Sequence, residues 1–222
     1  SKKDLITLMD SMKNLTIPQK TPNIKCRTLI ICGEREKNNI NMKSIGFNVE
    51  NEYSASGISG FLSQIFGGKK FIVACIGTDA VIGDSLGPMV GSFLSDAVKG
   101  RTFVYGSFAH PVTAKEIEPL KRFLEKAHPL DKVLAIDAAG GRSQEGGKTK
   151  ISDGALRPGL GVSKNLSAIG DANLIGVVAE KRPNQSELGF VRMARIWKTA
   201  SVIAEGIKLY FDECYYRYKT TV

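Results

Sequence analysis

The chain has 222 residues, 42% of them hydrophobic and 24% charged, and carries a net charge of +9. That is enough apolar material for one sizeable core and little more than one domain; it excludes a low-complexity or repeat protein. The charge excess is spread out, +5 over residues 1–70 and +4 over residues 71–222, so no basic tail of the nucleic-acid-binding kind is present and no direct nucleic-acid binding is expected. A solvated basic surface that favours acidic partners in general is the plainer reading.

Taken in order, Asp4 to Met12 reads as a helix, followed by a linker broken by Pro18 and Pro22. Cys26 to Gly33 (CRTLIICG) has the look of a buried strand. Residues 34–52 are polar and Asn-rich, with little periodicity. Ser54 to Gly68 places Ile58, Phe61, Leu62, Ile65 and Phe66 at helical spacing and stops at Gly67-Gly68. Phe71 to Ile76 is an apolar strand ended by Gly77. A helix over Met89 to Val98 follows, with Pro88 in its first turn and Gly100 as its stop. Thr102 to Gly106 is a short strand. Thr113 to Ala127 is a helix opened by a Thr113-x-x-Glu116 capping box.

Lys132 to Ala138 is the next strand, and Gly140 to Gly170 is a long glycine-rich stretch holding a short strand, Lys148 to Ser152. Asn173 to Val178 is a further strand. A long helix runs from Ser186, its cap, to Phe211, and the aromatic tail DECYYRYKTTV packs or frays. Strands alternating with helices predict an α/β fold: a doubly wound, mainly parallel sheet with helices on both faces. The whole chain, 1–222, reads as one α/β domain, with residues 71–211 as its core and residues 1–70 as an N-terminal extension.

Two stretches carry candidate chemistry. IGTDAVIGDSLGP (Ile76 to Pro88) leads from a strand through a polar loop into a helix, and VLAIDAAGGR (Val133 to Arg142) ends a strand on an aspartate. Asp84 alone reads as a helix N-cap, and Asp137 alone as a strand-end residue bonding nearby backbone. Together, both follow apolar strands on the same edge of a parallel sheet, where ligands bind in such folds. Two carboxylates in one cleft cannot both ionise cheaply, and a shared proton suits them to activate water and protonate a leaving group.

Thr78 and Asp79 share the Asp84 loop, with turn formation as one reading and orientation of the carboxylate or substrate as the other. The loop lacks the lysine of a phosphate-binding loop and the G-x-G-x-x-G of a dinucleotide site, so no cofactor is expected. Arg157 to Lys164 (RPGLGVSK) offers Gly159, Gly161, Ser163 and Lys164 to clamp a peptide or an anion; a plain surface loop is the competing reading. Ser85 and Ser163 have no partner histidine in a recognisable pattern, so a serine triad lacks support. Cys26, Cys32, Cys75 and Cys214 form no C-x-x-C pair and read as small hydrophobes of a reducing compartment. No zinc-type spacing involves His110 or His128, and no metal is expected. Neither a signal peptide nor a membrane span is read in the sequence, so the expected location is cytoplasmic.

IGTDAVIGDSLGP, VYGSFAHPV, AIDAAGGR and ISDGALRPGLGVSKNLSAIGD…IGVV, in that order over residues 71–180, closely resemble the sporulation protein YyaC group, a relative of the germination protease of spores. The resemblance implies a doubly wound α/β sandwich of the phosphorylase/hydrolase-like type, shared with the hydrogenase-maturation endopeptidases. It implies a sporulation-associated endopeptidase of the sporulating cell or spore interior, with small acid-soluble spore proteins as substrates. The germination protease's aspartates fall on Asp84, within D-x-L-G-P, and on Asp137, within I-D-A. The maturation endopeptidases add a histidine further along; no histidine follows Asp137 here, which sets the chain apart from a metal site of that type. Two other readings stay open: a non-catalytic sporulation protein that binds a peptide or protein partner in the same cleft, and a metal-assisted peptidase. A homo-oligomer is among the assemblies the sequence allows.

Overall fold

The computed structural model describes residues 44–141, 146–158, 167–180 and 191–220, all of which belong to one compact unit, Ile31–Val222. Strand β1 (Ser44–Asn48), helix α1 (Ser54–Phe66) and strand β2 (Phe71–Cys75) come first. A 3-10 turn (Ile82–Ser85) leads directly into α2 (Leu86–Ala97). β3 (Val104–Tyr105), α3 (Ile117–Ala127), β4 (Lys132–Gly141), β5 (Lys148–Asp153), β6 (Ala172–Glu180) and α4 (Met193–Thr220) complete the order.

The six strands form one sheet in the order β1-β5-β6-β4-β2-β3. β3, β2, β4 and β6 run parallel. β5 and β1 continue the sheet antiparallel. The fold is therefore α/β, mainly parallel, as the alternation of elements predicts. β2, flanked on both edges and both faces, is buried at all five positions, which accounts for its unbroken apolar sequence.

Side chains alternate across the strands and separate two cores. Leu134 and Ile136 of β4 pack with α1, α2 and α4 on one face. Val133 and Ala135 face Ile117 and Leu124 of α3, with Leu156 and Ile169, on the other. Helices thus cover both faces, and each strand's odd and even residues serve different helices.

Helix α1 buries Ile58, Phe61, Leu62 and Phe66, four positions of the predicted stripe. Gly67 ends it at φ 63°, its N–H reaching the Ser63 carbonyl at 3.0 Å. Strand β1 lies in the polar, Asn-rich stretch in which the sequence shows little periodicity. Its only deeply buried residue is Phe47, which rests on Gly57 of α1, where a Cβ would stand 2.4 Å from the ring. One buried position in five leaves too faint an alternation to announce a strand.

Helix α2 lies against the sheet backbone itself. A Cβ on Gly87 would sit 2.0 Å from the Ile76 carbonyl oxygen, and one on Gly91 would sit 1.7 Å from that of Gly106. Only glycine permits this approach. Helix α4 begins at Met193 and continues past Phe211 to Thr220, so the expected tail is helical. Its predicted cap, Ser186, lies outside the described residues, as do the Asp4–Met12 helix and the Cys26–Gly33 strand. Tyr210 and Phe211 of α4 close on Phe71 with Phe66, ring centroids 4.1–5.0 Å from it, and the Tyr210 hydroxyl donates to the Lys69 carbonyl at 2.6 Å. The Thr113-Glu116 pair forms ahead of the helix: Glu116 accepts from the Thr113 N–H at 3.0 Å and from its hydroxyl, and α3 starts one residue later.

Candidate active site

Parallel strands end at one edge, and the β2 and β4 ends bring the two aspartates there. β2 stops at Cys75, opposite Ile136 of β4, so Asp137 is the first β4 residue beyond the paired region. The chain after β2 turns at Gly77, which has φ 140° and whose Cβ position would lie 2.1 Å from the Asp84 carbonyl oxygen. A side chain there would push the loop open, so glycine sets how closely Asp84 returns over the strand end.

The loop is then fastened by Asp84 itself. The Thr78 N–H donates to the Asp84 carbonyl and to its Oδ2, both at 3.1 Å, and the Thr78 hydroxyl accepts from the Ala80 N–H at 3.2 Å. Asp84 sits inside the 3-10 turn and makes no side-chain cap of α2. Its carboxylate points back to the loop, which corrects the N-cap reading. Thr78 positions Asp84 through its amide, while Asp79 is exposed at the loop tip. Val81 and Ile82, 38% and 41% exposed, form an apolar rim between them. Ser85 is buried and donates its hydroxyl to the Ile82 carbonyl at 2.7 Å, so it serves the turn.

On β4, Asp137 accepts from the Ala138 N–H through Oδ1 at 2.8 Å. Burial pushes its carboxyl up to about 7, against the lowering effect of that bond, and the neighbouring Asp84 charge pushes it further in the same direction. Asp84 is also raised, by burial, with the Thr78 N–H opposing. Asp84 is therefore close enough for its charge to act on the Asp137 carboxyl. A carboxyl raised to about 7 is placed to exchange a proton near neutral pH.

Gly159, Gly161, Ser163 and Lys164 lie outside the described residues. The β3–α3 connection, which the sequence reading passed over, also emerges at this edge: the bridge between Ile76 and Val112 brings Ser107, Phe108 and His110 around to it. The signal was available in the strand-then-loop grammar of VYGSFAHPV. Cys75 is fully buried and its thiol is pushed strongly up by burial, as a core residue's would be. His128 is held at the opposite end of the sheet, its Nε2 2.7 Å from the Tyr105 hydroxyl. Among the described residues no three of His, Cys, Asp and Glu gather as metal ligands, and no helix is long and apolar enough to cross a membrane.

A mainly parallel α/β sheet with two aspartates at its C-terminal edge, both with carboxyl pKa values raised by burial, defines an open-sheet α/β protein. The chain belongs to a family described as a protein of unknown function (DUF1256), whose model matches residues 46–206. It is similar to the uncharacterized protein YyaC of Bacillus subtilis (strain 168), with 38% identity over 143 residues, 64% of this chain and 70% of that protein. The family match begins within β1, and β1 and α1 share the sheet and core of the later elements.

Proposed function

We propose that the chain is a sporulation-associated endopeptidase that hydrolyses a peptide bond between Asp84 and Asp137. The observation that carries this reading is the Asp137 carboxyl, raised to about 7 by burial and by Asp84 at the open end of the sheet. Such a pair holds one acid and one base over the same pH range.

In the reaction, ionised Asp84 takes a proton from a water, whose oxygen bonds to the peptide carbonyl carbon. Protonated Asp137 gives its proton to the amide nitrogen as the C–N bond breaks. Transfer of the proton from Asp84 to Asp137 restores the pair. Thr78 orients Asp84, and Asp79 with the Gly159–Lys164 loop shapes the cleft for substrate. The resemblance to the germination protease makes small acid-soluble spore proteins the substrates to try, within a sporulating cell or spore, and the net charge of +9 suits acidic chains.

One observation favours a second reading, a cleft that binds a peptide or protein partner without cutting it. Each carboxylate has an oxygen already engaged by a backbone amide, Asp84 by Thr78 and Asp137 by Ala138. Incubation with small acid-soluble spore proteins, followed by mass spectrometry, separates the two. Cleavage by the wild type and not by Asp84→Asn or Asp137→Asn supports the peptidase. Binding without cleavage, or equal cleavage by all three, overturns it.

A further inference from the structure

We propose that the site receives its peptide as an added β-strand, along the edge of β4 that β2 does not pair from Ala138 to Gly141. The inference rests on the reading of this cleft as a peptide site, catalytic or not. β2 and β4 pair up to Cys75 and Ile136, and one last bond joins the Ile76 N–H to the Ile136 carbonyl at 2.8 Å. β4 then continues to Gly141 with β6 as its only strand partner among the described residues. The sheet therefore has a step at the site, where the 3-10 turn lies beside β4.

Backbone groups alternate sides along a strand, so Ala138 aims its N–H and C=O the same way as Ile136, into the step. In a continuing ladder the Ile76 carbonyl would accept the Ala138 N–H. That carbonyl instead faces the α-carbon of Gly87, as the 2.0 Å gap to a Cβ there demonstrates. The Ala138 N–H is taken by Oδ1 of Asp137 at 2.8 Å. A side-chain carboxylate thus stands in for a missing strand carbonyl. An incoming peptide carbonyl replaces it bond for bond and frees both Asp137 oxygens beside Asp84.

The edge suits an extended chain in two further respects. Ala138, Ala139, Gly140 and Gly141 carry nothing larger than a methyl, so no side chain fends off a backbone. Val81 and Ile82 stand exposed on the loop that returns over the strand end, where alternate side chains of an added strand can rest. Affinity then comes from main-chain bonds, which every peptide offers, and selectivity from those alternate contacts.

The test uses the full chain, labelled with nitrogen-15, and the capped hexapeptide Ac-Val-Glu-Val-Glu-Val-Glu-NH2 with its six singly N-methylated forms. The expected result is movement of the Ala138, Gly140 and Gly141 amide signals, with affinity falling at least fivefold on N-methylation of every second residue and unchanged at the residues between. No movement of these signals at millimolar peptide overturns the proposal, as does uniform sensitivity to N-methylation. Movement that follows protein concentration instead of peptide also overturns it, in favour of a second copy of the chain on the edge. Cleavage of spore proteins without edge signals leaves the peptidase reading standing and removes strand addition. Edge signals without cleavage do the reverse.

Discussion

The Thr78 amide is bonded twice to Asp84, through the backbone carbonyl and through Oδ2, each at 3.1 Å. The five loop residues between them, Asp79 to Gly83, are thereby closed on the side chain whose charge acts on Asp137. The loop's shape and the carboxylate's direction are the same structural fact, because the group that would do chemistry is also the group that holds the turn.

Asp84→Asn keeps an oxygen acceptor for the Thr78 N–H while removing the charge. Cleavage by Asp84→Asn, and by Asp137→Asn, is expected to fall by about 10²–10⁴-fold, measured as kcat/KM on a spore-protein substrate. In Asp84→Asn the Asp137 carboxyl also loses a like-charged neighbour, so its titration, followed by carbon-13 signals, moves below the wild-type position near 7. An unmoved titration would mean the two groups are uncoupled.

The activity of the wild type is expected to decline as pH rises through about 7, where Asp137 loses its proton. A pH profile of kcat/KM checks this. A rate that keeps rising above neutral pH would contradict a protonated Asp137 in the rate-determining complex.

Stability follows the same proton. The Asp137 pKa is raised from 3.8 to about 7 by folding, so between those values the folded chain holds a proton that the unfolded chain has released. This contribution is fully present below about pH 4 and is lost as pH rises through 7. Denaturant unfolding at pH 4.5 and pH 8 should show the wild type losing stability relative to Asp137→Asn, on the order of 2–4 kcal/mol.

Two glycines in helices should respond in opposite directions to alanine. Gly91→Ala places a methyl 1.7 Å from the Gly106 carbonyl oxygen, which forces α2 off the sheet and costs roughly 3 kcal/mol. Gly60 in α1 has open space at its Cβ position, and Gly60→Ala should stabilise by about 0.5–1 kcal/mol through helix propensity. Urea midpoints of the two variants decide the matter.

Thr199 in α4 is fully buried, and its hydroxyl has no hydrogen-bond partner. Thr199→Val keeps the shape and removes the orphaned group. A gain of roughly 1 kcal/mol in unfolding free energy is expected; a loss would reveal a partner for the hydroxyl.

Much of the fold was legible because period and punctuation agreed. Phe71 to Cys75 is apolar without interruption since both of its faces are covered, and α1 announced itself through Ile58, Phe61, Leu62 and Phe66 and a stop at Gly67. β1 was illegible because an antiparallel outer strand with one buried side chain has almost no pattern to display. The extension of α4 beyond Phe211 was hidden by a tail that mixes aromatic and charged residues and has no apolar period of its own.

For the site, the sequence by itself determined that Asp84 and Asp137 each follow an apolar strand run, and a parallel sheet then places both at its C-terminal edge. It could not determine what each carboxylate bonds. Local sequence made Asp84 a helix cap, yet the tertiary structure turned it back onto Thr78, because Gly77 and Gly87 let the loop and α2 press against the end of β2. The raised Asp137 pKa belongs to that level too: desolvation and a neighbouring charge arise only when distant strands are packed side by side, and no local pattern encodes them.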